Sequence, residues 1–264
     1  MDDTHTVTEA NRAAWNEAAP IHEAQNLHQL KTDFANPRHT CLDAIEVNEL
    51  NRIGVQNKSV AQICCNNGRE LISVERMGAA KCVGFEGAEA FVDQAYQIAE
   101  AAGSQCSFVC TNIYDIEQQY EQQFDLVTIT IGVLCWMPDL ERLFQKLARL
   151  MKPGAALFIY EQHPIIDMVE PGPADHPVHW DYSYFSTEPW VETDGLDYYS
   201  GKSYQSKPLT SFHHKLSDII TAALECGLSV EKFEELPGHI SNNWWNLESQ
   251  GPRVPMSFIL TLRR

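Results

Sequence analysis

The stretch Val60-Ala61-Gln62-Ile63-Cys64-Cys65-Asn66-Asn67-Gly68-Arg69-Glu70 is an apolar run that enters a turn of small residues and opens a helix. Backbone N–H groups at such a helix start favour a carboxylate or a phosphate. Eighteen residues beyond Gly68, Glu86 ends the run Val83-Gly84-Phe85-Glu86. An acid at a second strand tip can take the paired hydroxyls of a ribose. A third polar tip, Thr111-Asn112, follows the next apolar run, and an Asn side chain can accept from an amino group such as that of adenine. Three tips in register point to an adenosine-type ligand. Taken singly each has a plainer reading: Gly68 as a bare turn glycine, Glu86 as a solvated strand-end acid.

The histidines are the other chemistry-bearing residues. His163 follows a fifth apolar run by three residues, on the edge where open α/β sheets bind ligands; the alternative is a loop histidine satisfied by backbone. His213 and His214 precede a helix-like stretch, where one can pack while the other faces solvent. His22 follows Pro20 and is a weaker pocket candidate.

These residues need a frame, and the chain alternates short β-branched runs with helical stretches from about residue 58. Strands are predicted at Ser59 to Cys65, Cys82 to Glu86, Cys106 to Cys110, Phe124 to Ile131 and Ala155 to Tyr160. Helices over 69–77, 88–102 and 139–151 are closed by Gly78, Gly103 and Pro153-Gly154. Another helix, Leu216 to Cys226, leads to two closing strands, Leu228 to Phe233 and Pro255 to Leu262. The expected fold class is α/β, a doubly wound, mostly parallel, seven-stranded sheet.

Two pieces stand outside the alternation. Residues 1–57 hold helix-like stretches at Thr8 to Glu17 and Thr40 to Leu50 and form an N-terminal helical cap over the α/β domain of residues 58–264. An insertion at about 162–210, after the fifth strand, carries Tyr182, Tyr184, Tyr198, Tyr199 and Tyr204 with Trp180 and Trp190. A long aromatic loop of this kind reads as a lid or substrate wall, and Trp244 and Trp245 would extend it.

Composition narrows the function. Thirty-six acidic against nineteen basic residues give a formal net charge of −17, which argues against a nucleic-acid partner. No apolar window approaches a membrane span, and the polar, acidic first eleven residues do not read as a secretory signal, so the expected location is the cytoplasm. The eight cysteines (41, 64, 65, 82, 106, 110, 135 and 226) include no C-x-x-C pair. They read as reduced thiols rather than metal ligands, and no metal is expected. Oligomeric state is left open.

Several phrases resemble the Rossmann-like, SAM-dependent methyltransferases, where SAM is S-adenosylmethionine, and in particular a bacterial branch of small-molecule type. They run from Trp15-Asn16-Glu17-Ala18-Ala19-Pro20 through Phe124-Asp125-Leu126-Val127, Trp136-Met137-Pro138-Asp139-Leu140 and Leu150-Met151-Lys152-Pro153-Gly154 to Tyr160-Glu161-Gln162-His163-Pro164. Ser183-Tyr184-Phe185, His213-His214-Lys215-Leu216-Ser217-Asp218 and Pro255-Met256-Ser257-Phe258-Ile259-Leu260 complete them. The resemblance implies an enzyme that transfers a methyl group from SAM to an O, N, C or S atom of a small-molecule acceptor, leaving S-adenosylhomocysteine (SAH). It implies that Cys64, Cys65, Asn66 and Gly68 surround the methionine part of SAM, with Glu86 and Gly87 at the ribose. Asn112 and Ile113 would sit at the adenine, Thr130 and Ile131 at the sulfonium, and Trp15 would cover the cofactor. The family turn reads acid-x-Gly-x-Gly-x-Gly, whereas Gln62, Cys64 and Asn66 stand here at the acid and the first two glycines. His163, then Glu161 and His214, are the candidates for a base or an acceptor-orienting group. The altered turn leaves a rival reading, a non-catalytic Rossmann-like binding protein; an RNA methyltransferase is a further one.

Overall fold

The apolar runs pair into one sheet, and the polar tips between them gather along its carboxyl edge. The computed structural model describes residues 3–197, 199, 202–241, 243–251 and 253–264, so Tyr198 of the aromatic insertion lies outside the described residues. In chain order the elements are α1 (Asp3–His22), a π-helical stretch Glu23–Leu27, α2 (His28–Phe34), α3 (Ala44–Ile53), β1 (Ser59–Ile63), α4 (Arg69–Arg76), β2 (Lys81–Glu86), α5 (Glu89–Ala102) and β3 (Ser107–Cys110). There follow β4 (Phe124–Ile129), α6 (Leu140–Leu150), β5 (Met151–Gln162), β6 (Trp190–Glu192), β7 (Leu209–Ser211), α7 (Leu216–Glu225), β8 (Ser229–Leu236), α8 (Trp245–Glu248) and β9 (Ser257–Arg263).

The sheet runs β3-β2-β1-β4-β5-β9-β8. β9 runs against both of its neighbours, and the other pairings are parallel. Strand order reverses between β1 and β4, the crevice where doubly wound sheets hold ligands. Each face is covered by its own core. Ile63, Phe85, Leu143, Phe144 and Leu147 pack under α6 and α7 on one side, and Val60, Phe34, Leu50, Leu71 and Phe158 pack under α2 to α5 on the other.

Several boundaries differ from the sequence reading. α6 stops at Leu150 and β5 starts at once, at Met151, because Met151 already pairs with Phe124. α1 runs past Glu17 and, through the π-helical stretch, on to Phe34, since buried Leu27 and fully buried Phe34 hold that extension against the core. α3 begins where a capping box fixes it: Asp43 accepts from the Glu46 N–H at 2.8 Å and Glu46 accepts from the Asp43 N–H at 3.0 Å.

α1 lies across the strand tips. Thr8 Oγ1 accepts from Asn112 Nδ2 at 2.7 Å, Asn16 Oδ1 accepts from the Ala90 N–H at 3.0 Å, and the Ala19 carbonyl accepts from Gln94 Nε2 at 3.0 Å. The insertion is stitched to the same helix. Asn11 exchanges two 2.8 Å bonds with the backbone of Thr210, Glu17 accepts from the Lys207 N–H, and His22 Nε2 donates to the Leu196 carbonyl at 2.7 Å.

The insertion does not form one inward aromatic wall. Trp180, Tyr182 and Phe185 are 48, 46 and 76% exposed, while Tyr184 packs on His213 and Tyr199 on His22. Among its described residues the segment holds the short β6–β7 pairing and isolated bridges such as Val169 to Trp180, so its side chains follow no repeating face. Trp244 belongs to a satellite core with Ile166, Val169 and Leu247, and its indole donates to the Val169 carbonyl. Trp245 is 46% exposed against His239.

Candidate functional site

β1 ends at Ile63 because the chain then turns through left-handed conformations. Cys64 and Asn66 have φ of 51° and 49°, and Gly68 has 72°. The two positions that lack glycine therefore keep a glycine's backbone geometry. Asn tolerates it readily, and Cys at a cost of about 1–2 kcal/mol. Cys65 turns inward, its N–H donating to the Phe85 carbonyl at 3.1 Å. Gly68 cannot carry a side chain, because a Cβ there would collide with the Phe108 ring. Gly68→Ala is expected to destabilise the fold by roughly 2–4 kcal/mol, from positive φ and overpacking together. Urea unfolding checks this, and a variant of wild-type stability would show that the turn relaxes freely.

Glu86 faces that turn. Its Oε2 accepts from the Asn66 N–H at 2.8 Å and its Oε1 from the Ala88 N–H at 2.9 Å. Burial pushes its pKa up against the pull of these N–H groups. Two carboxylate oxygens offer about four acceptor sites, and with the Asn66, Ala88 and Gly87 N–H groups acting on them some capacity remains for a ribose hydroxyl. Gly87 sits beside the Arg12 side chain and the Thr111 carbonyl. Asn112 Oδ1 caps the following turn by accepting from the Tyr114 N–H at 3.1 Å while its Nδ2 holds Thr8. Ile113 points into the core rather than outward. Trp15 stands edge-on to Phe91 and Trp136, with centroids 5.9 and 5.8 Å away.

The missing acid of the turn is matched by a residue that sequence reasoning passed over. Gln62 Nε2 donates to Glu70 Oε2 at 2.7 Å and contacts Thr130 Oγ1 at 3.1 Å; Thr130 Oγ1 donates to the same Glu70 oxygen at 2.5 Å. Glu70, from the first turn of α4, thus brings a carboxylate to position 62. The available signal was an acid eight residues after Gln62, one turn into the helix, and it reads equally well as an ordinary helix-start acid. Gln62 is 2% exposed, and its Oε1 has no partner. Beside this group a cavity of about 620 Å³ reaches Ile131, just past the tip of β4.

The expected catalytic residues part company. Glu161 is buried, and its carboxylate accepts from four backbone N–H groups: Gly132 (2.8 Å), Val133 (2.6 Å), Leu134 (2.9 Å) and Gln162 (3.1 Å). Burial raises its pKa against those bonds. His163 Nδ1 accepts from the Ile165 N–H at 3.1 Å, so Nε2 carries the proton and donates to Glu235 at 3.0 Å. Burial lowers its pKa. The expectation that Glu161 and His163 act on an acceptor therefore gives way to structural duties, because their polar atoms are already committed to the loop after β4 and to the turn after β5. His213 is likewise held, by Asp167 and the Tyr184 carbonyl.

His214 differs. Its Nε2 donates to the Met137 carbonyl at 2.8 Å, which leaves Nδ1 as an acceptor with no hydrogen-bond donor shown among the described residues. Burial holds its pKa below the usual value, so the ring is neutral near pH 7. The neighbouring Phe212 N–H bonds the Cys135 carbonyl at 2.7 Å, keeping His214 against the loop that follows β4. Among the described residues no His, Cys, Asp and Glu cluster could hold a metal.

The sequence pattern of a family described as a methyltransferase domain matches residues 60–154. A SAM-dependent methyltransferase from Mesorhizobium loti is similar in structure at 21% identity, with a TM-score of 0.64 over 84% of this chain and 98% of its own. One from Clostridium acetobutylicum is 12% identical, with a TM-score of 0.58 over 94% and 98%. The geranyl diphosphate C-methyltransferase of Streptomyces coelicolor, solved with SAH, is 11% identical, with a TM-score of 0.58 over 84% and 79%. No curated protein matches the chain in sequence. With the strand order above, these findings give the chain the Rossmann-like, class I methyltransferase fold, with a methyltransferase-domain pattern over residues 60–154.

Proposed function

We propose that the chain is a SAM-dependent methyltransferase that acts on a small molecule in the cytoplasm, in a site closed by α1 and the insertion, with His214 as the base or acceptor-orienting group. The observation that carries this reading is the roof. Asn11, Glu17 and His22 fasten α1 to the insertion across the strand tips, which suits an enclosed small acceptor better than a polymer. The −17 charge argues in the same direction. Eight free cysteines suit a reducing compartment, and no helix among the described residues is long and apolar enough to cross a membrane.

The site suits SAM on its own terms. The left-handed turn, the remaining acceptor capacity of Glu86, and the unpaired Gln62 Oε1 beside Glu70 match a ligand with ribose hydroxyls at one end and an ammonium at the other. When bound, SAM supplies a methyl group on a positively charged sulfur. The acceptor's electron pair forms the new bond to the methyl carbon while the carbon–sulfur pair returns to sulfur. Thr130, Ile131 and the loop that Glu161 holds would fix the line of attack, an orientation effect worth ~7–11 kcal/mol. An acceptor that arrives protonated would give its proton to His214 Nδ1.

The test is to incubate the enzyme and methyl-labelled SAM with a metabolite extract, then separate products by ultrafiltration. Label is expected in a small product; label retained on RNA or protein would overturn the reading. With an acceptor in hand, His214→Ala should lower the maximal rate by ~10²-fold with unchanged SAM affinity. Because the His214 pKa is depressed, wild-type activity should hold above pH 6.5 and fall as the ring is protonated at lower pH. A flat profile would remove His214 from the proton path.

A further inference from the structure

Arg69, the first residue of α4, follows the β1 turn directly, and its largely buried guanidinium lines the 620 Å³ cavity and meets the Tyr199 hydroxyl of the insertion. Among the described residues no carboxylate forms an ion pair with it; Glu70, next in the chain, acts on it as a charge at longer range. The nearby acids are otherwise engaged. Glu70 is bonded to Gln62 and Thr130, and Asp43 to the Glu46 N–H and the Tyr160 hydroxyl. Burial, and next the charge of Glu70, push the Glu46 pKa up to about 8, so Glu46 is mostly uncharged near neutral pH. A buried guanidinium without a counterion is unfavourable, and this one has five N–H donors to satisfy.

The same corner holds the end of the insertion. Tyr199 stands edge-on to His22, with centroids 5.0 Å apart, and His22 Nε2 donates to the Leu196 carbonyl at 2.7 Å. An independent sign of an incomplete site is Asn26, four residues after His22 and four before the cavity-lining Leu30: both of its side-chain polar atoms are buried without a partner. It lies in the π-helical stretch, a geometry that concentrates at functional sites. The insertion is docked on groups that the protein itself leaves open.

We propose that Arg69 takes the carboxylate at the amino-acid end of the cofactor, and that this contact, through Tyr199, holds the insertion closed over the site. The inference rests on the reading that Gln62 and Glu70 receive the cofactor's ammonium. In an α-amino acid the carboxylate and the ammonium share one carbon, and Arg69 is the cation beside Glu70. With the insertion docked, the guanidinium is shielded from water and needs an anion; with the insertion displaced, water can solvate it. A carboxylate therefore binds the docked arrangement better and shifts the population toward it.

The test compares SAH with S-adenosyl-3-thiopropylamine, which keeps the ammonium and lacks only the carboxylate. Calorimetry should show SAH binding about tenfold or more tighter. Amide hydrogen exchange in the peptides that carry Leu196 and Tyr199 should slow at saturation with SAH and stay unchanged with the amine. Arg69→Met should bring the two affinities within about threefold and abolish the slowing. Tyr199→Phe should keep the preference for SAH and lose the slowing. Equal affinities in the wild type overturn the carboxylate assignment, whether or not the variants fold. Equal slowing by both ligands, or slowing that survives Tyr199→Phe, overturns the coupling, because other contacts would then hold the insertion. Should neither ligand bind, the cofactor reading itself falls and takes this proposal with it, a result distinct from equal binding by both.

Discussion

Glu86→Ala is expected to weaken SAM and SAH binding by roughly 2–4 kcal/mol, a thirty- to thousandfold rise in Kd, the loss of a hydrogen-bond pair to a charged group. The carboxylate already ties the β1 turn to the start of α5 through Asn66 and Ala88, so two effects add in this variant. Glu86→Gln separates them: its amide oxygen can keep one backbone bond while the paired acceptors for a diol are gone. Isothermal calorimetry reads both. A Kd for Glu86→Ala equal to that of the wild type would sink the ribose assignment.

The largest effect on stability is expected at Glu161. Truncation to alanine strands the N–H groups of Gly132, Val133, Leu134 and Gln162 in a buried place. Such a loss costs about 3–5 kcal/mol, or roughly 6–20 °C in Tm for a chain of this size. Thermal unfolding followed by circular dichroism measures it. SAM affinity should fall as well, since the loosened loop follows directly on Thr130 and Ile131. An unchanged Tm with a lost reaction would instead make Glu161 a reacting carboxylate.

Much of the frame was legible in the chain itself. Ser59 to Ile63, Lys81 to Glu86 and Phe124 to Ile129 are short apolar runs that end in polar tips, and Gly78, Gly103 and Gly227 supply the positive φ that closes a helix. These are local signals, carried by neighbouring residues, and they suffice to fix the doubly wound order. The positions of Glu86 and Asn112 follow from them, because parallel strands in register bring successive tips to one edge.

Long-range contacts decided the rest. Glu161 and His163 sit at the expected edge, yet which atoms they bond depends on residues 28 and 72 positions away, Val133 and Glu235. His214 gained its open nitrogen only because the Met137 carbonyl, 77 residues earlier, fixes its other one. Glu70 read as an ordinary helix-start acid until α4 folded it back on Gln62 and Thr130. The insertion's aromatics gave no periodic pattern from which their facing could be read. A sequence sets which groups are present and which strand tips they occupy; hydrogen bonds across the fold determine which of those groups remain open to a ligand. Each buried donor or acceptor must find a partner, and for Glu161, His163 and His213 that partner turned out to be the protein itself.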